Sequence, residues 1–244
     1  MIDKVIIIPA RYQSSRFPGK PLVSILGTSM IYRVWEKCIK VLSPEHVFVA
    51  TDSKEIAKHC KKHDIQVLMT SSDCLTGTDR VYEASKQLNV KTVINVQGDE
   101  PLINPEDIRR VIDNIEDYPD SIINAMCPIL NEEDYISKNV PKVVCKLDNS
   151  LLYMSRSSIP MNKGDNFNQA WKQVCIYAFP SQALEQYYNL GHKTPLEDIE
   201  DIEILRFLEL GYDVNMVEVS SSSIAVDIPE DVNRVENAII AGSI

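Results

Sequence analysis

Three cations, Arg11, Arg16 and Lys20, fall within the ten-residue stretch Arg11-Tyr12-Gln13-Ser14-Ser15-Arg16-Phe17-Pro18-Gly19-Lys20. Guanidinium groups grip phosphate oxygens through forked hydrogen bonds, and an ammonium adds a point charge, so such a loop can surround a polyphosphate. Gly19 and the two serines permit close backbone approach to an anion. The stretch is not a Walker A loop, because GxxxxGK[ST] is absent, and it contains no GxGxxG. On spacing alone, a solvated basic loop is the competing reading. A second stretch, Asn95-Val96-Gln97-Gly98-Asp99-Glu100-Pro101, sets a carboxylate beside a glycine where a buried strand should end. A divalent cation meeting phosphate oxygens would sit there, since magnesium uses one or two carboxylates and fills its octahedron with water and substrate. An acidic turn explains it equally well. A third stretch, Ala225-Val226-Asp227-Ile228-Pro229-Glu230-Asp231, is expected to end a short strand at Asp227 and to start a helix at Pro229. There the ordinary role of Asp227 is an N-cap.

The elements that must position these loops follow from hydrophobic periodicity. Lys4 to Pro9 is a β-branched run that reads as a strand buried on both faces. Helices are expected over residues 29–41, 54–63, 79–88, 105–115, 182–190, 197–210 and 229–240, and strands over 46–50, 65–69, 91–96, 121–127, 142–146, 152–154, 173–179 and 214–218. Ser53 or Asp52 should cap the helix at 54–63. Strands alternating with helices of this length imply a mostly parallel sheet with right-handed crossovers, and ligands in such sheets bind beyond the carboxyl ends of the strands. Loops 9–22, 70–78 and 97–102 all follow strands and should share one crevice. From about residue 131 to 180 the alternation weakens around the polar loop 162–168, which reads as an insertion forming a lid or a subunit contact. The expected organisation is one domain over residues 1–244 carrying that insertion.

Composition removes several classes of function. The 244 residues are 44% hydrophobic and 25% charged, enough for a sizeable α/β core, and the formal net charge is −10. Nonspecific nucleic-acid binding depends on neutralising phosphates with Lys and Arg, so this balance argues against it. No apolar run approaches the roughly 20 residues that span a bilayer. The opening residues do not form a signal peptide, which points to a cytoplasmic protein without membrane association. The six cysteines are dispersed with no CxxC pair, suggesting reduced thiols rather than zinc ligands or disulfides. His59 and His63 stand four apart on an expected helix, but Lys58, Lys61 and Lys62 surround them, which favours a solvated basic face over a metal pair.

The run from Pro9 to Leu22 resembles, nearly residue for residue, the PARxxSxRxPGKPL signature of the sugar-acid cytidylyltransferases, in particular the CMP-Kdo synthetase family. The family's NVQGDEP run matches residues 95–101, its VDTPED resembles 226–231, its SGTER resembles Thr76-Gly77-Thr78-Asp79-Arg80, and its YFSR resembles Tyr153-Met154-Ser155-Arg156. Lys142 matches the lysine of a KVV segment, and the likeness spans residues 5–235. The resemblance implies a Rossmann-like three-layer α/β/α nucleotidyltransferase fold, a mostly parallel mixed sheet and a homodimer. It implies that Arg11, Lys20, Asp99 and Asp227 are catalytic, with CTP held by Ala10, Arg11, Arg16, Lys20, Gly77, Thr78 and Arg80. Asp99 and Asp227 would be the ligands of Mg²⁺. Gln97, Arg156, Gln173, Tyr177 and Glu203 would face the sugar acid, with Arg156 taking its carboxylate. The reaction implied is transfer of CMP from CTP to the anomeric hydroxyl of a 3-deoxy-2-keto sugar acid, most simply Kdo, with release of pyrophosphate.

The likeness departs from the family in the half that would bind the acid. Gln173 stands where the family's HLGIYGY-type strand has histidine, Ile204 replaces the glutamine of LEQLR, and Ala225 replaces the second glycine of GTGVD. An unpaired buried polar group costs ~1–3 kcal/mol, so such changes can redirect acceptor preference. The alternatives left open are another acid, such as 8-amino-Kdo or a nonulosonate, a sugar-phosphate nucleotidyltransferase, and a noncatalytic nucleotide-binding module.

Overall fold

A computed structural model of the chain describes residues 1–14, 17–164, 166–220 and 223–242. In chain order the elements are β1 (Ile2–Pro9), a short hairpin of β2 (Ser24–Ile25) and β3 (Thr28–Ser29), α1 (Met30–Cys38), β4 (Val47–Thr51), α2 (Lys54–Lys62), β5 (Gln66–Met69), α3 (Gly77–Ser85), β6 (Val90–Val96) and α4 (Pro105–Asp113). They continue with β7 (Ile122–Pro128), α5 (Glu132–Ile136), β8 (Lys142–Cys145), β9 (Leu151–Ser155), β10 (Trp171–Pro180), α6 (Ser181–Asn189), α7 (Pro195–Glu200), α8 (Ile204–Glu209), β11 (Val214–Glu218) and α9 (Pro229–Ile240). Contacts divide the chain into two compact units, residues 1–109 with 222–244, and residues 110–221.

In the first unit, β6, β1, β4 and β5 lie side by side, all parallel. Val5, Ile6, Ile7 and Ile8 of β1 are completely buried, and each such side chain contributes roughly 1.5–3 kcal/mol by leaving water. This continuous run is the pattern of a strand covered on both faces. Ser53 caps α2, its hydroxyl accepting the Ile56 N–H at 3.3 Å, which settles the choice between Ser53 and Asp52. Thr76 caps α3 by accepting from the Asp79 N–H, so this helix starts two residues earlier than periodicity suggests. Gly77 and Thr78 thereby lie in a helical first turn and not in a loop. The β2–β3 hairpin is held by Arg33, whose guanidinium donates to the Ile25 carbonyl at 2.6 Å and 3.1 Å.

In the second unit, β11 pairs parallel with β7, while β7–β10, β10–β8 and β8–β9 are antiparallel. The single helix expected over residues 197–210 is two helices. Asp201 adopts a left-handed conformation (φ 51°) and ends α7, and α8 restarts at Ile204. A left-handed residue cannot continue a right-handed helix, so the chain turns there despite favourable periodicity on both sides.

Candidate functional site

Because β1 and β6 run parallel with Ile7 opposite Asn95, the segments that follow them leave the sheet at the same edge. Gly98 permits their close approach: a Cβ there would lie 3.0 Å from the Pro9 carbonyl oxygen and 3.4 Å from Ile8. Any side chain would push the turn carrying Asp99 away from the loop after β1. That loop folds back on itself, with the Gly19 N–H donating to the Tyr12 carbonyl at 2.8 Å. Gly19 has φ 71°, a conformation other residues adopt only with strain, and the Tyr12 ring packs over it. Lys20 follows directly, at the start of a short 3₁₀ turn.

The Lys20 ammonium lies among three oxygens. It donates to Asp99 Oδ2 at 2.9 Å and to the Val226 carbonyl at 2.8 Å, and lies 3.9 Å from Asp227 Oδ1. The Val226 N–H in turn donates to the Asp99 carbonyl at 2.9 Å. Beneath this cluster, Ile25, Met30, Leu102, Val226 and Val235 form one apolar core, with Phe17 and Val23 packed against it. Each segment that carries a charged residue of the cluster thus also drives an apolar neighbour into a shared core. The expected strand ending at Asp227 is absent; the segment is extended, without a ladder beyond the Val226 bond. Asp227 is not the N-cap of α9. Ile228 occupies that position, and the Asp231 carboxylate accepts the N–H groups of Asp227 and Ile228 at 2.9 Å and 3.1 Å. The Asp227 carboxylate comes within 3.9 Å of the Lys20 ammonium.

Arg11 is exposed and lines an open depression with Tyr12, Gln13, Ser14 and Pro18. Ala10 is buried, its N–H bonded to the Ala50 carbonyl. Arg16 lies outside the described residues. The loop between β5 and α3 is braced from within. Arg80, only 5% exposed, donates to Thr70 Oγ1 at 2.6 Å and approaches Asp52 at 3.3 Å. Glu83 accepts the Ser71 N–H at 2.7 Å and the Cys74 thiol at 3.1 Å. Arg80 therefore shapes the wall formed by this loop and the α3 N-terminus, where Gly77 and Thr78 lie. Gln97 is half-buried between β6 and Asp99.

The second unit holds the remaining expected residues. The Arg156 guanidinium donates to the carbonyls of Glu200, Lys138 (3.0 Å) and Asp201 (2.8 Å). Glu200 accepts the Arg156 N–H at 2.8 Å and the Ser155 hydroxyl at 2.6 Å. Burial works to raise the Glu200 carboxyl, but those bonds, the Tyr153 hydroxyl and the Arg156 charge outweigh it and hold the group below the usual carboxylate range. Lys142 is fully buried and donates to the Ser137 and Arg156 carbonyls at 2.7 Å and 2.6 Å. Loss of solvent lowers its pKa, with the Arg156 charge acting in the same direction. Gln173 donates to Asn124 Oδ1 at 3.0 Å, and Asn124 donates to the Val174 and Ile176 carbonyls, both at 3.0 Å. This spans the irregularity where the β10–β7 register slips between Val174 and Tyr177. Tyr177 is buried, Glu203 half-buried and Ile204 buried.

Sequence reasoning missed Asn124 and Glu200. Asn124 had a readable signal, being the one polar residue inside the buried run Ile122-Ile123-Asn124-Ala125-Met126-Cys127, and a buried amide must find partners. Glu200 had none, because its partners lie in a distant strand. Among the described residues no group of three or more His, Cys, Asp or Glu side chains could hold a metal ion, so the Asp99–Asp227 pair is the arrangement to consider for one.

A family model described as cytidylyltransferase matches residues 5–218. The chain belongs to the cytidylyltransferase family. It is 41% identical over 238 residues to the mitochondrial 3-deoxy-manno-octulosonate cytidylyltransferase of Arabidopsis thaliana, covering 95% of this chain and 81% of that one. It is 38% identical over 246 residues to the 8-amino-3,8-dideoxy-manno-octulosonate cytidylyltransferase of Shewanella sp. W3-18-1, covering 99% and 100%. Among solved structures it superposes on a CMP:2-keto-3-deoxy-manno-octonic acid synthetase complexed with CTP, with TM-score 0.91, 33% identity and coverage of 99% and 100%. The expected α/β class, with a mixed and mostly parallel sheet, is thereby established for this cytidylyltransferase. No helix among its described residues is long and apolar enough to cross a membrane.

Proposed function

We propose that the protein couples CMP from CTP to the anomeric hydroxyl of Kdo, a 3-deoxy-2-keto sugar acid, and releases pyrophosphate. The observation that carries this reading is the meeting of Lys20, Asp99 and Asp227 at one point beyond the carboxyl ends of β1 and β6. In this reading Arg11 and Lys20 bind the triphosphate, with Arg16 as a third cation of the same loop sequence, and the base rests on the wall that Arg80 braces. Gly77 and Thr78, at the α3 N-terminus, and Ala10 meet the nucleotide. Gln97, Gln173, Tyr177 and Glu203 meet the acceptor. Arg156 meets the acceptor carboxylate with donors beyond those it gives to backbone carbonyls.

The residues suit magnesium: Asp99 and Asp227 are hard anionic donors, and both already face one cation. Bound there, Mg²⁺ would polarise the phosphoryl oxygens and lower the pKa of the attacking hydroxyl. The chain's own contribution is to hold phosphate with Arg11 and Lys20 and to fix both carboxylates through the Val226–Asp99 bond and the shared apolar core. The displacement forms the bond from acceptor oxygen to α-phosphorus and breaks that to the pyrophosphate oxygen, and it needs no protein nucleophile.

The wider reading is a homodimeric cytoplasmic enzyme serving lipopolysaccharide or capsule synthesis, without nucleic-acid or membrane binding. The segment at residues 131–180 would act as a lid or subunit contact. A second acceptor, 8-amino-Kdo, is favoured by the Shewanella relative, whose likeness covers nearly the whole chain. The test is pyrophosphate release with CTP and Mg²⁺ across Kdo, 8-amino-Kdo and sialic acid. Turnover greatest on Kdo is expected; turnover on 8-amino-Kdo alone would replace Kdo as the acceptor, and none with any acid would overturn the reading.

A further inference from the structure

Resting on that metal reading, we propose that Lys20 is a placeholder cation. Its ammonium neutralises the Asp99–Asp227 pair and must leave before a divalent ion can enter, so one side chain couples nucleotide binding to metal binding. The ammonium lies at the meeting point of the two carboxylates, bonded to Asp99 Oδ2 and to the Val226 carbonyl and 3.9 Å from Asp227 Oδ1. The side chains of Lys20, Asp99 and Asp227 are 17%, 31% and 38% exposed. Two carboxylates brought together at this depth repel each other, and a cation between them removes the penalty. A divalent ion placed among the same oxygens would stand against the ammonium, and two cations cannot share the position.

Lys20 is built to move. Its backbone is fixed by the 3₁₀ turn and by Gly19, while its charge rides on a flexible four-carbon stem. A triphosphate arriving at Arg11 offers that charge another anion, and the departing ammonium gives up its bonds to Asp99 Oδ2 and the Val226 carbonyl to an incoming ion. Metal and nucleotide then each raise the affinity for the other, as linkage requires. Without nucleotide, the enzyme holds its metal weakly by design of the site.

The experiment is Mn²⁺ binding without nucleotide, read by electron paramagnetic resonance, for the wild type, Lys20→Met and Lys20→Arg. Methionine keeps the apolar stem and removes the charge, and it should bind Mn²⁺ about tenfold or more tightly; arginine, which keeps a cation, should not. Without metal, Lys20→Met should melt below the wild type, and Mg²⁺ should raise its melting temperature by the larger amount. Equal or weaker Mn²⁺ binding by Lys20→Met would overturn the proposal while leaving CTP-dependent turnover by the wild type intact. Failure of the metal reading itself would look different: Asp99→Asn, in the Lys20→Met background, would then leave Mn²⁺ binding unchanged.

Discussion

In the first unit, the cation at the centre of the site is shared between two half-exposed carboxylates and one carbonyl. In the second unit, Lys142 and Arg206 are bound to backbone carbonyls or to a buried partner. Arg206 is the extreme case. It is fully buried, forms a two-pronged pair with Glu197, donates to the Tyr187 carbonyl and stacks on the Tyr187 ring at 3.7 Å. Glu197 also accepts from the Tyr187 hydroxyl at 3.0 Å and the Thr194 N–H at 3.2 Å. A charge held by fully buried partners serves the fold; a charge held by half-exposed carboxylates can be handed to a ligand. The charge's own burial does not separate the two uses, but the exposure of its partners does.

This contrast can be broken most severely at Glu197. Glu197→Gln leaves Arg206 charged, buried and half-partnered, and removing one member of a buried pair costs about 3–5 kcal/mol. Chemical denaturation followed through Trp171, in a Trp35→Phe background, should show that loss, with CTP affinity of the folded protein unchanged. A small stability change with weakened CTP binding would mean the pair serves the ligand after all.

Glu200 sharpens the comparison at an intermediate level. Glu200→Gln loses charge-assisted bonds from Arg156 N–H and the Ser155 hydroxyl, each worth roughly 1.5–3 kcal/mol at most, and releases the strand end that carries Arg156. The KM for the sugar acid should rise severalfold while that for CTP holds; steady-state kinetics varying each substrate in turn checks this. The depressed Glu200 carboxyl also has a defined pH sign. Its contribution is complete above the unfolded value of 4.5 and fades as pH falls through the lower folded value. The acid limb of the melting curve should therefore flatten in the variant.

The mildest effect is expected at His59, which accepts or donates a 2.7 Å bond with Ser29 Oγ at the start of α1. Burial lowers its pKa below 6.5, aided by the His63 and Lys62 charges. The unfolded chain then binds the proton more readily, so the cost is absent above 6.5 and grows as pH falls toward the folded value. His59→Gln should reduce the loss of melting temperature between about pH 7.5 and about pH 5.5. An unchanged loss would show that another group governs that slope.

Legibility in the sequence divides along similar lines. β11 and α9 were readable to the residue, and β1, α2 and β7 nearly so, because continuous apolar runs, Pro229 and the Ser53 cap are local signals. Loops 9–22 and 97–102, which meet at Lys20, were readable as members of one crevice because both follow parallel strands, whereas the segment at Asp227 was joined to them only by the family resemblance. The bond to the Val226 carbonyl was not readable, because it joins segments far apart in the chain. The α7–α8 break escaped because Asp201, a residue tolerated in many conformations, takes the left-handed one. The β2–β3 hairpin escaped because its strands are two residues each, too short for a period of two to appear.

The most direct test falls on Asp227, whose sequence allowed both a capping and a metal-binding role. Because Asp231 caps the turn before α9, Asp227→Asn should leave the melting temperature within a few degrees of the wild type. Pyrophosphate release with CTP, Mg²⁺ and Kdo should nonetheless fall by about 10³-fold or more, as expected when the group that places transition-state charge stabilisation is removed. Substantial turnover together with a marked loss of stability would return Asp227 to a structural role and contradict the site described above.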